Sequence, residues 1–205
     1  MGLLYYAAAA GARLRGARLM HPAGRAFKAT VEAAPFRGLR TGARLLDRPA
    51  RRRVLVRLSK SIPTPRGWPD VLGLAIRWGG FDLLLSSSSR RPLLRHLFLP
   101  RRRVGGFYSS LAAYRTPRHG RLFLGAQLDP DGRTATIAAA TRFGRWRPVA
   151  RLRLGRRLSR RRSTRLAFDP IGNTSPDLRP VGLVQRLRGP VYRGSRAGRR
   201  SARPA

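Results

Sequence analysis

The chain has 205 residues, a net charge of +37, 42% hydrophobic residues and no cysteine. That length suits one domain, and that apolar share supplies a core, so global disorder is excluded despite the charge. The absent thiols rule out disulfides, thiolate metal sites and a cysteine nucleophile, and His21, His96 and His119 lie too far apart in sequence for a metal-ligand spacing.

Arginine carries nearly all of the charge: Lys28 and Lys60 are the only lysines among 45 basic residues, leaving 43 arginines (45 − 2). Basic residues displace counterions from phosphates, so the composition implies attraction to nucleic acid. They are spread over the whole chain, and aromatics do not interleave with them as in an RNA-recognition pattern. The expectation is therefore non-specific, salt-sensitive binding rather than dedicated recognition. No stretch approaches the roughly 20 apolar residues that cross a bilayer. Leu3 to Ala10 is apolar but short and lacks a positive n-region, so the expectation is no membrane span and a cytoplasmic location.

In chain order, residues 3 to 19 are rich in Ala, Leu and Arg and predict a helix that ends before Pro22. Beyond Gly24 the texture becomes one of strands. Ala26 to Ala33, Arg53 to Leu58, Asp70 to Trp78, Phe81 to Leu85, Arg121 to Gln127, Thr134 to Thr141 and Pro148 to Leu154 all carry that pattern. Gly and Pro punctuate them, with Asp129-Pro-Asp-Gly132 predicting a turn. Pro92 to Leu99 and Gly105 to Tyr114 read as short helices or ordered loops, and the arginine run Arg156 to Arg162 as an exposed loop. Pro180 to Arg200 reads as helical in two pieces, with Pro190 opening the second. Six or seven strands with helices before, between and after predict an α+β class built on an antiparallel β-barrel.

Arg18, His21 and Gly24, then Arg57 and Ser59, then Asp70, Gly73 and Ala75, and last Arg188 and Tyr192 follow one another with spacings that resemble the haem-contacting segments of catalases. Arg18-Leu-Met-His21-Pro-Ala-Gly24 keeps the Arg, His and Gly spacings of the family's distal histidine pattern, Arg-Val-Val-His-Ala-Lys-Gly. Arg57-Leu58-Ser59 is similar to the family's Arg-Phe-Ser. Asp70, Gly73, Ala75 and Arg77 match Asp-Pro-Arg-Gly-Phe-Ala-Val-Lys-Phe, and Phe81-Asp82-Leu83-Leu84-Leu85-Ser86-Ser87-Ser88-Ser89 resembles Trp-Asp-Leu-Val-Gly-Asn-Asn-Thr-Pro. Phe168-Asp169-Pro170 and Ser175-Pro176-Asp177 are similar to the approach to the proximal helix. Arg188, Tyr192 and Arg199 fall on that helix's Arg-x-x-x-Tyr pattern and its following Arg.

The resemblance covers nearly the whole chain as a compact version of a longer protein, and it is strongest to short bacterial catalase-like proteins. It implies one catalase-like domain over 1–205: an N-terminal helix at 1–20, a barrel at 24–155, a loop at 156–179 and a proximal helix at 180–200. It also implies a haem iron ligated by the Tyr192 phenolate, whose pKa Arg188 lowers from one helical turn away. Arg18, Arg57 and Arg199 meet the propionates, His21 transfers peroxide protons, and Ser59 orients His21. The chain departs from the family where Ser86 (Ser87 if the alignment slips by one) replaces the distal asparagine. A hydroxyl lacks the amide's fixed donor geometry. A slow peroxidase acting on peroxide or an organic hydroperoxide is therefore expected rather than fast catalase turnover. Two other readings stay open: a haem-free catalase-fold protein binding an apolar or anionic small molecule, and a basic nucleic-acid-binding protein. The oligomeric state is open as well, with a homo-oligomer among the options.

Overall fold

The computed structural model describes residues 24–33, 40–61, 64, 65 and 67–181. The first five strands are β1 (Gly24–Ala33), β2 (Ala50–Lys60), β3 (Leu72–Trp78), β4 (Phe81–Ser87) and β5 (Gly106–Ser109). The other five are β6 (Ala113–Thr116), β7 (Gly120–Leu128), β8 (Thr134–Ala140), β9 (Arg147–Arg157) and β10 (Arg179–Val181). Every pairing is antiparallel. Eight strands close on themselves in the order β1-β2-β3-β4-β5-β7-β8-β9, with β9 returning to β1, while β6 and β10 extend from one end of β7.

Alternation explains the barrel. Val54 and Val56, Leu74, Ile76 and Trp78, and Leu83 and Leu85 are buried at every second position and meet across the ladders, as in the pairs Val56–Ile76 and Ile76–Leu83. Leu124, Ile137 and Leu152 line the far wall at 0–1% exposure. Each such side chain contributes about 1.5–3 kcal/mol by leaving water, so the interior is a packed core and not a channel. Gly79 and Gly80 join β3 to β4 at φ 56° and 84°. A two-residue hairpin turn with both central residues left-handed matches the twist of the strands, and glycine adopts it without a Cβ clash.

The segment Gly105 to Tyr114, expected as a helix or loop, instead forms one strand broken in two. β5 pairs with Gly125–Leu128 of β7, and β6 pairs with Gly120–Leu122. At the break Leu111 is left-handed, φ 58°, which costs a bulky residue about 1–2 kcal/mol. Ser110 offsets that strain. Its N–H donates to Leu124 O at 2.8 Å, and its Oγ donates to Ala112 O at 2.6 Å and accepts from Leu124 N at 3.3 Å.

Two short helices complete the described residues, α1 (Arg44–Asp47) and α2 (Arg160–Arg165), of four and six residues. The helical share of the expected α+β class is therefore small here, and strands dominate. Two further expectations change. The arginine run is not one loop: β9 extends to Arg157, and Ser159 caps α2 by accepting from Arg162 N at 3.4 Å. Arg179 to Val181 is an edge strand against β6 rather than the start of a helix, a place where Pro180 loses nothing by lacking an N–H. Pro92 to Leu99 forms turns without a helix. The expected helix at 1–20 and the rest of the one at 180–200 lie outside the described residues.

Candidate functional site

Because Val54, Val56 and Leu58 point inward, Arg57 and Ser59 on β2 point outward. The same parity places Gly73 and Ala75 of β3 and Leu84 and Ser86 of β4 on the outer face. Register then aligns them. Gly24 pairs with Ser59, Ser59 with Gly73, Gly73 with Ser86, Ser86 with Ser109, and Ser109 with Gly125. One pleat further along β2, Ala26 pairs with Arg57, Arg57 with Ala75, and Ala75 with Leu84. Positions drawn from four separate stretches of sequence form two adjacent rows of mostly small side chains, a shallow platform spanning β1 to β4.

Arg57 is the one large cation on it. It is 4% exposed, and a Cβ at Gly24 would collide with its guanidinium, which therefore lies across that glycine. At the other end the platform meets a wall. A Cβ at Gly125 would lie 2.5 Å from Phe107 Cζ and 3.0 Å from Trp146 Cζ3, and the two rings pack with centroids 4.8 Å apart. Arg90 stacks on Phe107, and Arg95 lies 4.7 Å over Trp146. Arg95 is fully buried, which pushes its pKa down, and it donates to Thr141 O at 2.8 Å and Gly144 O at 2.9 Å.

The serine run divides by function. Ser86 is half-buried on the outer face, whereas Ser87 is buried, accepts from Leu72 N at 3.0 Å and donates to Leu99 O at 2.6 Å. Ser88 Oγ donates to Leu97 O at 2.8 Å. Of the two serines the alignment allowed, only Ser86 shares the platform with Ser59. Asp70, buried, organises its own loop by accepting from Ser61 N at 3.2 Å and Thr64 Oγ1 at 3.2 Å. Asp82 is fully buried and gathers Arg77, the Asp169 N–H at 2.7 Å and Asn173 Nδ2 at 2.8 Å, anchoring the Phe168-Asp169-Pro170 stretch to the barrel. The Asp82 hydrogen bonds raise the Arg77 pKa against the opposing effect of burial.

Of the residues singled out in the sequence, the structure brings together Arg57, Ser59 and Ser86, with Gly24, Gly73 and Ala75 between them. Arg18, His21, Arg188, Tyr192 and Arg199 lie outside the described residues. Ser109, Gly125 and the Phe107–Trp146 wall were missed, since only strand register reveals that they border the platform. Among the described residues no group of three or more His, Cys, Asp or Glu is arranged to hold a metal ion. Among them, too, no helix is long and apolar enough to cross a membrane.

No protein-family model and no curated protein matches the chain. Solved structures do, at the level of fold, and they are catalases. Catalase A from Saccharomyces cerevisiae aligns over 89% of this chain and 60% of its own, with TM-score 0.64 and 11% identity. A fungal catalase aligns over 89% and 60%, with TM-score 0.61 and 14% identity. A bacterial catalase covers 89% of this chain and 57% of its own, with TM-score 0.56 and 12% identity. The chain thus has the catalase barrel fold and spans about three-fifths of the length of these structures.

Proposed function

We propose that this chain is a catalase-fold haem protein that acts on hydrogen peroxide or an organic hydroperoxide as a slow peroxidase. The observation that carries the reading is the register row Gly24–Ser59–Gly73–Ser86, because four fragments chosen for their resemblance to haem-contacting segments share one outer face. A planar macrocycle needs such a surface, since long or branched side chains would hold it away from the sheet. Arg57 beside the row suits a propionate, because a guanidinium matches a carboxylate in shape and charge.

When bound, haem supplies a redox-active iron. The chain's own residues do the rest. The Tyr192 phenolate would hold the iron, with Arg188 favouring its charged form, and Arg18 and Arg199 would join Arg57 in binding the propionates. His21 takes a proton from one peroxide oxygen and returns it to the other, Ser59 orients that imidazole, and Ser86 hydrogen-bonds the substrate. Haem reconstitution of the full chain followed by visible spectroscopy tests the reading. A Soret band that Tyr192→Phe removes or shifts is expected, and a wild-type protein that stays colourless overturns it.

One observation favours a second reading, a haem-free protein of the same fold that binds an apolar or anionic small molecule. A serine, Ser86, stands where the resemblance calls for an asparagine. The same spectrum separates the two readings.

A further inference from the structure

A second concave surface lies on the β10–β6–β7 flank, away from the β1–β4 platform. Its register sets Arg179 opposite Arg115, and Arg115 opposite Arg121. Nowhere else among the described ladders does arginine face arginine. Arg51 and Arg151 flank Glu32, Arg53 and Arg153 flank Thr30, and Arg77 meets Asp82. Directly opposed side chains have Cβ atoms about 4.5–5.5 Å apart, and like charges there repel. All three guanidinium groups are exposed, and none forms an ion pair with a carboxylate among the described residues. The nearby carboxylate of Asp177 is already engaged by Arg44 N at 2.8 Å and by the Ser175 hydroxyl.

The three arginines line a cleft of about 510 Å³ together with Thr116, Pro117, Gly120, Pro176 and Asp177, so three guanidinium groups face a single carboxylate there. Thr116 is 3% exposed, and its Oγ1 has no hydrogen-bond partner. A chain that sets three like charges side by side at the mouth of a cleft has built a site for a multivalent anion. Two interstrand spacings separate the outer arginines, about 10 Å, a span suited to two linked phosphates rather than one. Guanidinium forks bind phosphate oxygens in pairs, which favours phosphate over a simple halide. The cleft is open to solvent, and its volume is that of a small-ligand site, which favours a small ligand over an extended strand.

We propose that Arg115, Arg121 and Arg179 form a binding site for a small diphosphate-bearing molecule, independent of the haem reading. The test is thermal shift and titration calorimetry on the full chain at about 150 mM salt, where general attraction to this cationic surface is largely screened. The probes are inorganic pyrophosphate, adenosine diphosphate, orthophosphate and a short single-stranded DNA. Pyrophosphate and the nucleotide should raise the unfolding midpoint where orthophosphate at the same ionic strength does not. Arg115→Gln should weaken pyrophosphate at least about tenfold, with a raised unfolding midpoint for the free protein as the repulsion is relieved. Arg53→Gln removes the same charge elsewhere and should change pyrophosphate affinity by less than about twofold. Equal losses in the two variants, or pyrophosphate binding no tighter than orthophosphate, would overturn the site. Arg115-dependent binding of DNA without binding of pyrophosphate would overturn it too, assigning the arginines to a nucleic-acid backbone.

Discussion

Arg77 closes on Asp82 through two parallel hydrogen bonds, Nε to Oδ1 at 2.8 Å and a terminal nitrogen to Oδ2 at 2.7 Å. The two residues are register partners on neighbouring strands, so the pair needs no backbone adjustment. The same guanidinium donates to Ala167 O at 2.5 Å, and the same carboxylate holds Asp169 N and Asn173 Nδ2. The pair therefore fastens the segment after α2 to the barrel wall.

Removing Asp82 should be among the most damaging changes in the barrel. Asp82→Ala leaves a guanidinium and two other donors, Asp169 N and Asn173 Nδ2, without their acceptor, and breaking a buried pair by deleting one partner costs about 3–5 kcal/mol. Urea denaturation of the variant should show that loss, and a loss below about 1 kcal/mol would mean the pair is worth no more than a surface contact.

Alkali should act through Tyr108. Burial pushes its phenol well above the ordinary value, against a smaller opposing pull from Arg101, and its hydroxyl donates to Val104 O at 2.6 Å. The folded pKa exceeds the unfolded one, so the contribution is complete below the usual phenol value of about 10 and disappears as pH rises above it. Ultraviolet titration should show Tyr108 ionising only as the barrel unfolds. A Tyr108→Phe variant whose alkaline unfolding midpoint equals that of the wild type would contradict this.

Crowding the platform should block haem without unfolding the chain. Ala75 is half-buried between Arg57 and Leu84 on the outer face, so Ala75→Leu adds bulk where a planar ring would lie. Haem titration should weaken at least about tenfold while circular dichroism stays unchanged, the size of effect expected when one well-placed contact surface is lost. Unaltered affinity would move the haem elsewhere.

Restoring the amide should speed the chemistry. Ser86→Asn supplies a donor of fixed geometry and should raise peroxidase turnover of the reconstituted protein by about tenfold or more. A slower variant would show that Ser86 is adapted to another substrate.

The charge predicts its own behaviour. DNA affinity should be independent of sequence and fall roughly a thousandfold between about 50 and 200 mM salt if some six phosphates are neutralised. Filter binding across that range checks it, and sequence-selective binding that persists at high salt would point to a dedicated nucleic-acid function.

Much of the barrel was legible because apolar alternation is local: Arg53 to Leu58 and Phe81 to Leu85 both lie within the strands observed. Turn chemistry was legible for the same reason, with Gly132 N donating to Asp129 O at 2.9 Å in the expected turn. What failed depended on distant partners. Gly105 to Tyr114 becomes two strands because β7 supplies their edges, and Arg179 to Val181 becomes a strand because β6 does. The platform was half legible. Individual fragments named Arg57, Ser59 and Ser86, but their alignment with Gly24, Gly73 and Ser109 is a property of register, which no single stretch of sequence encodes.

The pairing of β1 with β9 imposes an order on synthesis. Val31 meets Leu152, so 121 residues (152 − 31) must be made before the first strand finds its second neighbour. Until then the nascent chain can stack its hairpins but presents an open edge with alternating valine and alanine, the kind of surface that invites pairing with other chains. The arginines and Glu32 along β1, β2 and β9 carry net positive charge at that edge. On a polysome, where identical nascent chains emerge side by side, mutual repulsion would keep those edges apart until each barrel closes on itself.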